Sequence, residues 1–338
     1  KLSEKGKISP EDAQKHSNHL VAATTLAELA DCDLIVEAVI EDINVKRQLM
    51  ADLMALTPSS TVLATNTSSL SVTAIAAGLA REAQVIGFHF FNPVPLMRVV
   101  EVIPGLKTSP DIVERMRLYA RQMGHTPVVA QDTPGFIVNH AGRAYGTEAL
   151  RVLGERVADI ATIDNILKDQ AGFKLGPLEL MDLTGLDVSH PVMESVYNQY
   201  YHEPRYRPSV ITAQRLAGKV LGKKTGVGFY AYANGMAIKP DAPVPPVGTS
   251  LPPVWVSPKA ARRAELYQLL KNLNAQIETA AAPSDRALIL VAPLGFDVTT
   301  VAIVERLDPA RTVGIDMLFD DVATKRRVLA TNPATRSD

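Results

Sequence analysis

Up to residue 131 the chain alternates apolar runs of strand length with stretches whose apolar positions recur at helical spacing. Residues 33–40 form one continuous apolar strand, and 42–56 place Val45, Leu49, Leu53 and Leu56 on one face of a helix. Residues 61–65 form a second strand that stops at Asn66-Thr67-Ser68-Ser69. The alternation continues with a helix over 71–80, strands over 85–91 and 97–103, a helix over 110–123 and a strand over 127–131. A strand buried on both faces reads as an unbroken apolar run, so this order predicts a mostly parallel sheet covered by helices on both sides. From Pro134 the period lengthens into helices that end at Phe229-Tyr230-Ala231-Tyr232.

Residues 239–258 contain Pro240, Pro243, Pro245, Pro246, Pro252, Pro253 and Pro258, which predicts an extended segment poor in regular structure. Beyond it, a helix near 259–279, a strand over 287–292, a helix over 298–306 and a strand over 312–318 predict a smaller α/β unit. Its strand-turn segment Leu290-Val291-Ala292-Pro293-Leu294-Gly295-Phe296 has one glycine and a proline where a pyrophosphate-binding turn needs several glycines. A non-catalytic role in packing or oligomerisation is expected for that unit.

Composition narrows the class without fixing it. A chain of 338 residues, 46% apolar and with a formal charge of -1, has room for two or three domains of an ordinary soluble enzyme. Acidic and basic residues are interspersed, and no basic patch with interleaved aromatics asks for nucleic acid. No apolar run reaches the length of a membrane span, and Cys32, the single cysteine, has no intrachain partner for a disulfide. A reducing interior, the cytoplasm, is the expected compartment, with no metal and no membrane partner.

The candidate chemistry lies in Phe88-His89-Phe90-Phe91-Asn92-Pro93-Val94-Pro95-Leu96-Met97-Arg98-Val99-Val100-Glu101. The two prolines force a tight connection, which lets the strand carrying Glu101 fold back beside the strand carrying His89. A carboxylate on one ring nitrogen fixes the imidazole tautomer and stabilises the imidazolium formed when the other nitrogen takes a proton. A buried histidine satisfied by the core, with a surface glutamate, is the bland alternative.

The run His89-Phe90-Phe91-Asn92-Pro93-Val94-Pro95-Leu96-Met97, with Glu101 twelve positions after His89, resembles the signature of the NAD-dependent L-3-hydroxyacyl-CoA dehydrogenases. The resemblance extends through Asp33-Leu34-Ile35-Val36-Glu37-Ala38-Val39-Ile40-Glu41 and Thr65-Asn66-Thr67-Ser68-Ser69-Leu70. It continues in Asp132-Thr133-Pro134-Gly135-Phe136-Ile137-Val138-Asn139, the segment Gly176 to Asp187, and Gly222-Lys223-Lys224-Thr225-Gly226-Val227-Gly228-Phe229-Tyr230. Residues from about 1 to 232 are covered, and the remainder resembles the C-terminal extension of longer bacterial homologues of phenylacetate breakdown that act on 3-hydroxyadipyl-CoA. The fold this implies is α/β: the latter part of a doubly wound Rossmann-type sheet over 1–132, then an all-α domain over 133–235. A Pro-rich linker over 236–258 and a small second α/β unit over 259–338 complete it.

The resemblance implies that His89 takes the proton of the 3-hydroxyl while hydride passes to NAD, and that Glu101 orients His89. Ser68 and Asn139 would position the substrate oxygen, in a groove between the sheet and the helical domain that holds the acyl-CoA. Glu41, Lys46, Ser68, Asn92 and Lys224 would border the cofactor, and the helical domain would make a homodimer. Each has a plainer alternative: Glu41 a helix cap, Ser68 a turn residue, Lys46 a solvated helix charge, Asn139 a core amide, Lys224 an exposed lysine beside a glycine turn. His140 stands where arginine is common in the family, and Arg143 is the candidate to replace that charge. Other readings are a 3-hydroxyacid dehydrogenase that uses a lysine, an inactive structural homologue, or an assembly fragment on the same fold. No Gly-x-Gly-x-x-Gly turn occurs in the chain, which starts at Lys1 and stops at Asp338, so truncation at both ends is expected.

Overall fold

The computed structural model describes Gly6 and residues 9–240, 251–318 and 327–336. Its residues fall into two compact units, one of 1–144 with 192–207 and the other of 145–191 with 208–338.

In the first unit, helix α1 (Pro10–Ser17) precedes a five-stranded sheet of order β1-β2-β3-β4-β5. The strands are β1 (Leu34–Glu37), β2 (Val62–Thr65), β3 (Val85–Phe90), β4 (Val99–Pro104) and β5 (Thr126–Val129). Helices α2 (Ile43–Leu56), α3 (Val72–Ala76) and α4 (Pro110–Gln122) connect them. All neighbouring pairs are parallel except β3 and β4, which run antiparallel and place His89 opposite Glu101.

Side chains alternate across these strands, so each face has its own core. Val62, Ala64, Ile86, Phe88, Val100 and Val102 pack on one face against Ile112, Met116 and Ala120 of α4. On the other, Val85 and Ile103 meet Val72 and Ala76 of α3, and Leu63 meets Met50 and Leu53 of α2. Gly87 sits on this second face, where a Cβ would come within 2.8 Å of both Ile103 Cβ and Val72 Cγ2. Its missing side chain lets α3 lie close behind the strand that carries His89. α3 is shorter than the expected 71–80, because Ala77 leaves helical geometry and Gly78 turns at φ 78°.

The chain then forms α5 (Val138–Ala141), α6 (Arg143–Gly154), α7 (Ile160–Asp169), α8 (Pro177–Thr184), α9 (Leu186–Gln199) and α10 (Val210–Ala217). In the second unit, two buried carboxylates fasten this region. Asp164 of α7 accepts from Leu178 N, Glu179 N and Tyr230 Oη at 2.9, 3.0 and 2.8 Å, which joins α7 to the start of α8. Asp182 of α8 accepts from Phe229 N, Tyr230 N and Tyr232 Oη at 2.8, 2.9 and 3.0 Å. These bonds hold the glycine-rich 222–228 turn and the hairpin of β6 (Ala231–Ala233) and β7 (Met236–Ile238) against α8.

The rest of the second unit is a five-stranded sheet of order β12-β11-β10-β8-β9. Its strands are β8 (Val254–Val256), β9 (Ile277–Glu278), β10 (Leu288–Val291), β11 (Thr312–Ile315) and β12 (Leu329–Ala330), with helices α11 (Arg263–Asn272) and α12 (Val298–Glu305). Only the β11/β12 pair is antiparallel. Three expectations are corrected here. The Pro-rich stretch ends in β8, an inner strand, where residues 254–256 carry no proline; its part over 241–250 lies outside the described residues. The expected helix over 259–279 is limited to Arg263–Asn272, since Arg262 and Asn274 take left-handed geometry (φ 52° and 55°) and the chain turns into β9. β11 stops at Ile315, short of the expected 318, because Asp316 takes the Leu318 N–H at 2.8 Å in a local turn.

Candidate active site

The carboxyl ends of β1, β2 and β3 open on one edge of the first sheet, and the antiparallel β4 begins there. That edge collects most of the candidate residues. His89 Nδ1 lies 2.6 Å from Glu101 Oε2, and the two side chains are 6% and 1% exposed. The other carboxylate oxygen accepts Ile137 N and Val138 N at 2.9 and 3.0 Å. Burial pushes the Glu101 pKa up, but the bonds from His89, Val138 and Ile137 outweigh it and hold the group below the ordinary carboxylate range. Glu101 is therefore an acceptor on both oxygens, which makes Nδ1 the donor and leaves a lone pair on Nε2. Nε2 has no hydrogen-bond partner among the described residues. Phe91 meets the imidazole edge-on at 4.6 Å between centroids and Phe136 at 5.8 Å, fixing the ring plane. Since Glu101 is lowered on folding, the stability it contributes is complete above the ordinary carboxylate range and is lost as pH falls through its lowered value.

A second network lies at the ends of β1 and β2. Lys46 of α2 is 1% exposed, with Nζ 3.0 Å from both oxygens of Glu37, 3.4 Å from Val39 O and 3.3 Å from Glu41 Oε2. Thr65 Oγ1 donates to Glu37 Oε1, and Val39 N to Glu37 Oε2. Glu41 Oε1 accepts Thr67 Oγ1, Ser68 N, Ser69 N and Ser69 Oγ at 2.6, 2.9, 3.1 and 3.1 Å. Burial raises the Glu41 pKa, and the Thr67 hydroxyl, Lys46 and the Ser68 N–H more than offset this, so the carboxyl stays below its usual range. The buried Glu37–Lys46 pair thus anchors the more exposed Glu41, whose carboxylate fixes the turn that presents Ser68.

Two plainer alternatives fall on this geometry. Lys46 is not a solvated helix charge, and the cap of α2 is Asp42, whose Oδ1 accepts Asn44 N and Val45 N at 2.8 and 3.1 Å, not Glu41. The Ser68 hydroxyl has no protein partner among the described residues. Asn139, in α5, donates from Nδ2 to Ser68 O at 3.4 Å, so it shares the edge with Ser68. Asn92 follows β3 on an exposed connection. Lys224 belongs to the second unit, half exposed and paired with Asp187 Oδ1 at 2.6 Å. Both ring nitrogens of His140 are engaged: Tyr200 and Tyr206 hydroxyls stand 2.6 Å from Nδ1 and 3.2 Å from Nε2.

Glu37 and Asn66 are absent from the sequence-derived candidates. Asn66 Oδ1 accepts Phe90 N at 2.9 Å and ties the end of β2 to β3 beside His89. The available signal for Glu37 was a carboxylate closing an apolar strand.

Two family models together account for the chain up to residue 232. Residues 1–133 match the family model for the 3-hydroxyacyl-CoA dehydrogenase NAD binding domain, and 135–232 match that for the 3-hydroxyacyl-CoA dehydrogenase C-terminal domain. A 3-hydroxybutyryl-CoA dehydrogenase of Clostridioides difficile is 38% identical over 69% of this chain and 82% of its own length. The chain belongs to the 3-hydroxyacyl-CoA dehydrogenase family. A 3-hydroxyadipyl-CoA dehydrogenase of Escherichia coli K12 is 39% identical over 88% of this family member and 63% of its own length. The crystal structure of a 3-hydroxybutyryl-CoA dehydrogenase from Escherichia coli K12 superposes with a TM-score of 0.80 at 33% identity, covering 99% of this chain and 65% of that one. The chain thus spans less than two thirds of the length of these two longer relatives. No described helix is long and apolar enough to cross a membrane.

Proposed function

We propose that this family member oxidises the 3-hydroxyl of an L-3-hydroxyacyl-CoA to the 3-oxo group with NAD, His89 being the proton acceptor. The observation that carries this reading is the 2.6 Å bond from His89 Nδ1 to Glu101 Oε2, which leaves Nε2 open. An imidazole so held takes the hydroxyl proton on Nε2, and Glu101 steadies the charge that results. The Ser68 hydroxyl and the Asn139 amide border the same edge, where they would orient the 3-oxygen during the change from alcohol to ketone.

When bound, NAD supplies the acceptor for the C3 hydride. The residues fit the nicotinamide side of such a cofactor: an unpartnered Ser68 hydroxyl and an exposed Asn92 lie past the carboxyl ends of parallel strands, with Glu41 and Lys46 behind them. Lys224 is the further cofactor contact in this reading. Residues 1–132 then serve the cofactor, 133–235 the acyl-CoA and a homodimer contact, and 259–338 take no part in the hydride transfer. The names of the relatives support acyl-CoA thioesters of fatty acid or aromatic acid degradation as the substrate class, and the lone Cys32 supports a cytoplasmic setting.

Absorbance of NADH on mixing the protein and NAD with L-3-hydroxybutyryl-CoA, 3-hydroxyadipyl-CoA or free 3-hydroxybutyrate tests the reading. Turnover of a thioester and not of the free acid is expected. Equal oxidation of the free acid would point to a hydroxyacid dehydrogenase, and no NADH from any of them to an inactive homologue.

A further inference from the structure

The second sheet has its own topological switch point. From β8 the chain passes through α11 to β9 on one side, and from β10 through α12 to β11 on the other. Right-handed crossovers that run in opposite directions put their helices on opposite faces. Accordingly, Leu266 and Leu270 of α11 pack on Val254, Val256 and Leu290, whereas Val298 of α12 packs on the alternate positions Trp255, Ile289 and Val291. The loops leaving the carboxyl ends of β8 and β10, which are adjacent strands, therefore separate, and ligands of open α/β sheets lie in such a crevice.

A cavity of about 310 Å³ occupies that place, walled by Ala260 and Ala261 after β8, Ala292 and Leu294 after β10, and Val301 and Val304 of α12. This is the lower end of the range for small-molecule sites. The start of α12 offers nothing to a phosphate, since Asp297 already takes Thr300 N and Thr300 Oγ1 at 2.8 and 2.7 Å. Glu305 is engaged by Ser257 Oγ at 2.5 Å. The cation on the wall is Lys259, exposed and without a carboxylate partner among the described residues, and it stands at the same cavity as the Glu305 carboxylate.

We propose that this crevice binds a small carboxylate with an apolar body, its hydrocarbon against the alanine and valine walls and its carboxylate at Lys259. The unit is thereby a ligand site, beyond the packing role that its missing glycine turn suggests. It is independent of the dehydrogenase reading and of His89.

Saturation-transfer NMR on the full chain with hexanoate and with the uncharged hexanamide is the test. Saturable binding of hexanoate is expected, with hexanamide weaker by about two- to fivefold, the upper range of one exposed charge contact. Lys259→Met should bring hexanoate to the hexanamide level without altering hexanamide. Ala261→Phe, at a half-buried position, should fill the crevice and remove both signals while unfolding stays cooperative. If that variant does not fold, Val304→Glu at the exposed mouth supplies the same readout by charge repulsion. No saturable hexanoate signal, or one that survives both blocking variants, overturns the site; equal binding of hexanoate and hexanamide overturns the carboxylate.

Discussion

In the His89→Ala variant, NADH formation from an L-3-hydroxyacyl-CoA is expected to fall about 100- to 10,000-fold, the usual contribution of a positioned general base. The side chain is 6% exposed and held by Glu101 and two aromatic rings, so no neighbouring group stands ready to replace it. Dissociation constants for substrate and cofactor should stay near their wild-type values, because the loss falls on the transition state. Single-turnover absorbance separates the two quantities. Wild-type rates in the variant would remove His89 from the chemistry, and parallel losses of rate and affinity would make it a packing residue.

Lys46→Met is expected to cost about 3–5 kcal/mol of folding stability, as when one member of a buried ion cluster is removed and its partners remain charged. Lys46 faces both Glu37 oxygens and Glu41 in a setting where it is 1% exposed. Methionine fills much of the same volume, so the loss is electrostatic and is not a cavity effect. Lys46→Met with Glu37→Gln should recover part of the loss, which a double-mutant cycle from urea unfolding measures. A single-variant loss under about 1 kcal/mol would mean that water reaches the cluster and solvates the stranded carboxylates.

The contact of His89 with Glu101 was legible in the sequence because its information is local. Strand alternation puts His89 and Glu101 on one face, and the two prolines between them leave space only for a tight return. The first sheet was legible for the same reason, its strands being short and mostly apolar and set between clear helical periods, with the polar His89 and Glu101 the breaks in β3 and β4. Glu37 and Lys46 were harder. Nine residues apart, they meet only after β1 and α2 have packed, and a lysine on a helix surface and a lysine under a sheet edge look alike in sequence. β8 was hidden by its flanking prolines, although its three residues carry none and it lies between β9 and β10. The order of the second sheet depends on which way each crossover turns, and no residue pattern records that, so the crevice between β8 and β10 becomes visible only in three dimensions.

The most direct measurement is the structure of the protein with NAD and a 3-oxoacyl-CoA. The 3-oxygen should lie about 2.6–3.2 Å from His89 Nε2, with Nδ1 still on Glu101 and the Ser68 hydroxyl close by. An acyl chain whose 3-oxygen is turned away from Nε2, or an Nε2 bonded to another protein group in the complex, would contradict proton removal by His89.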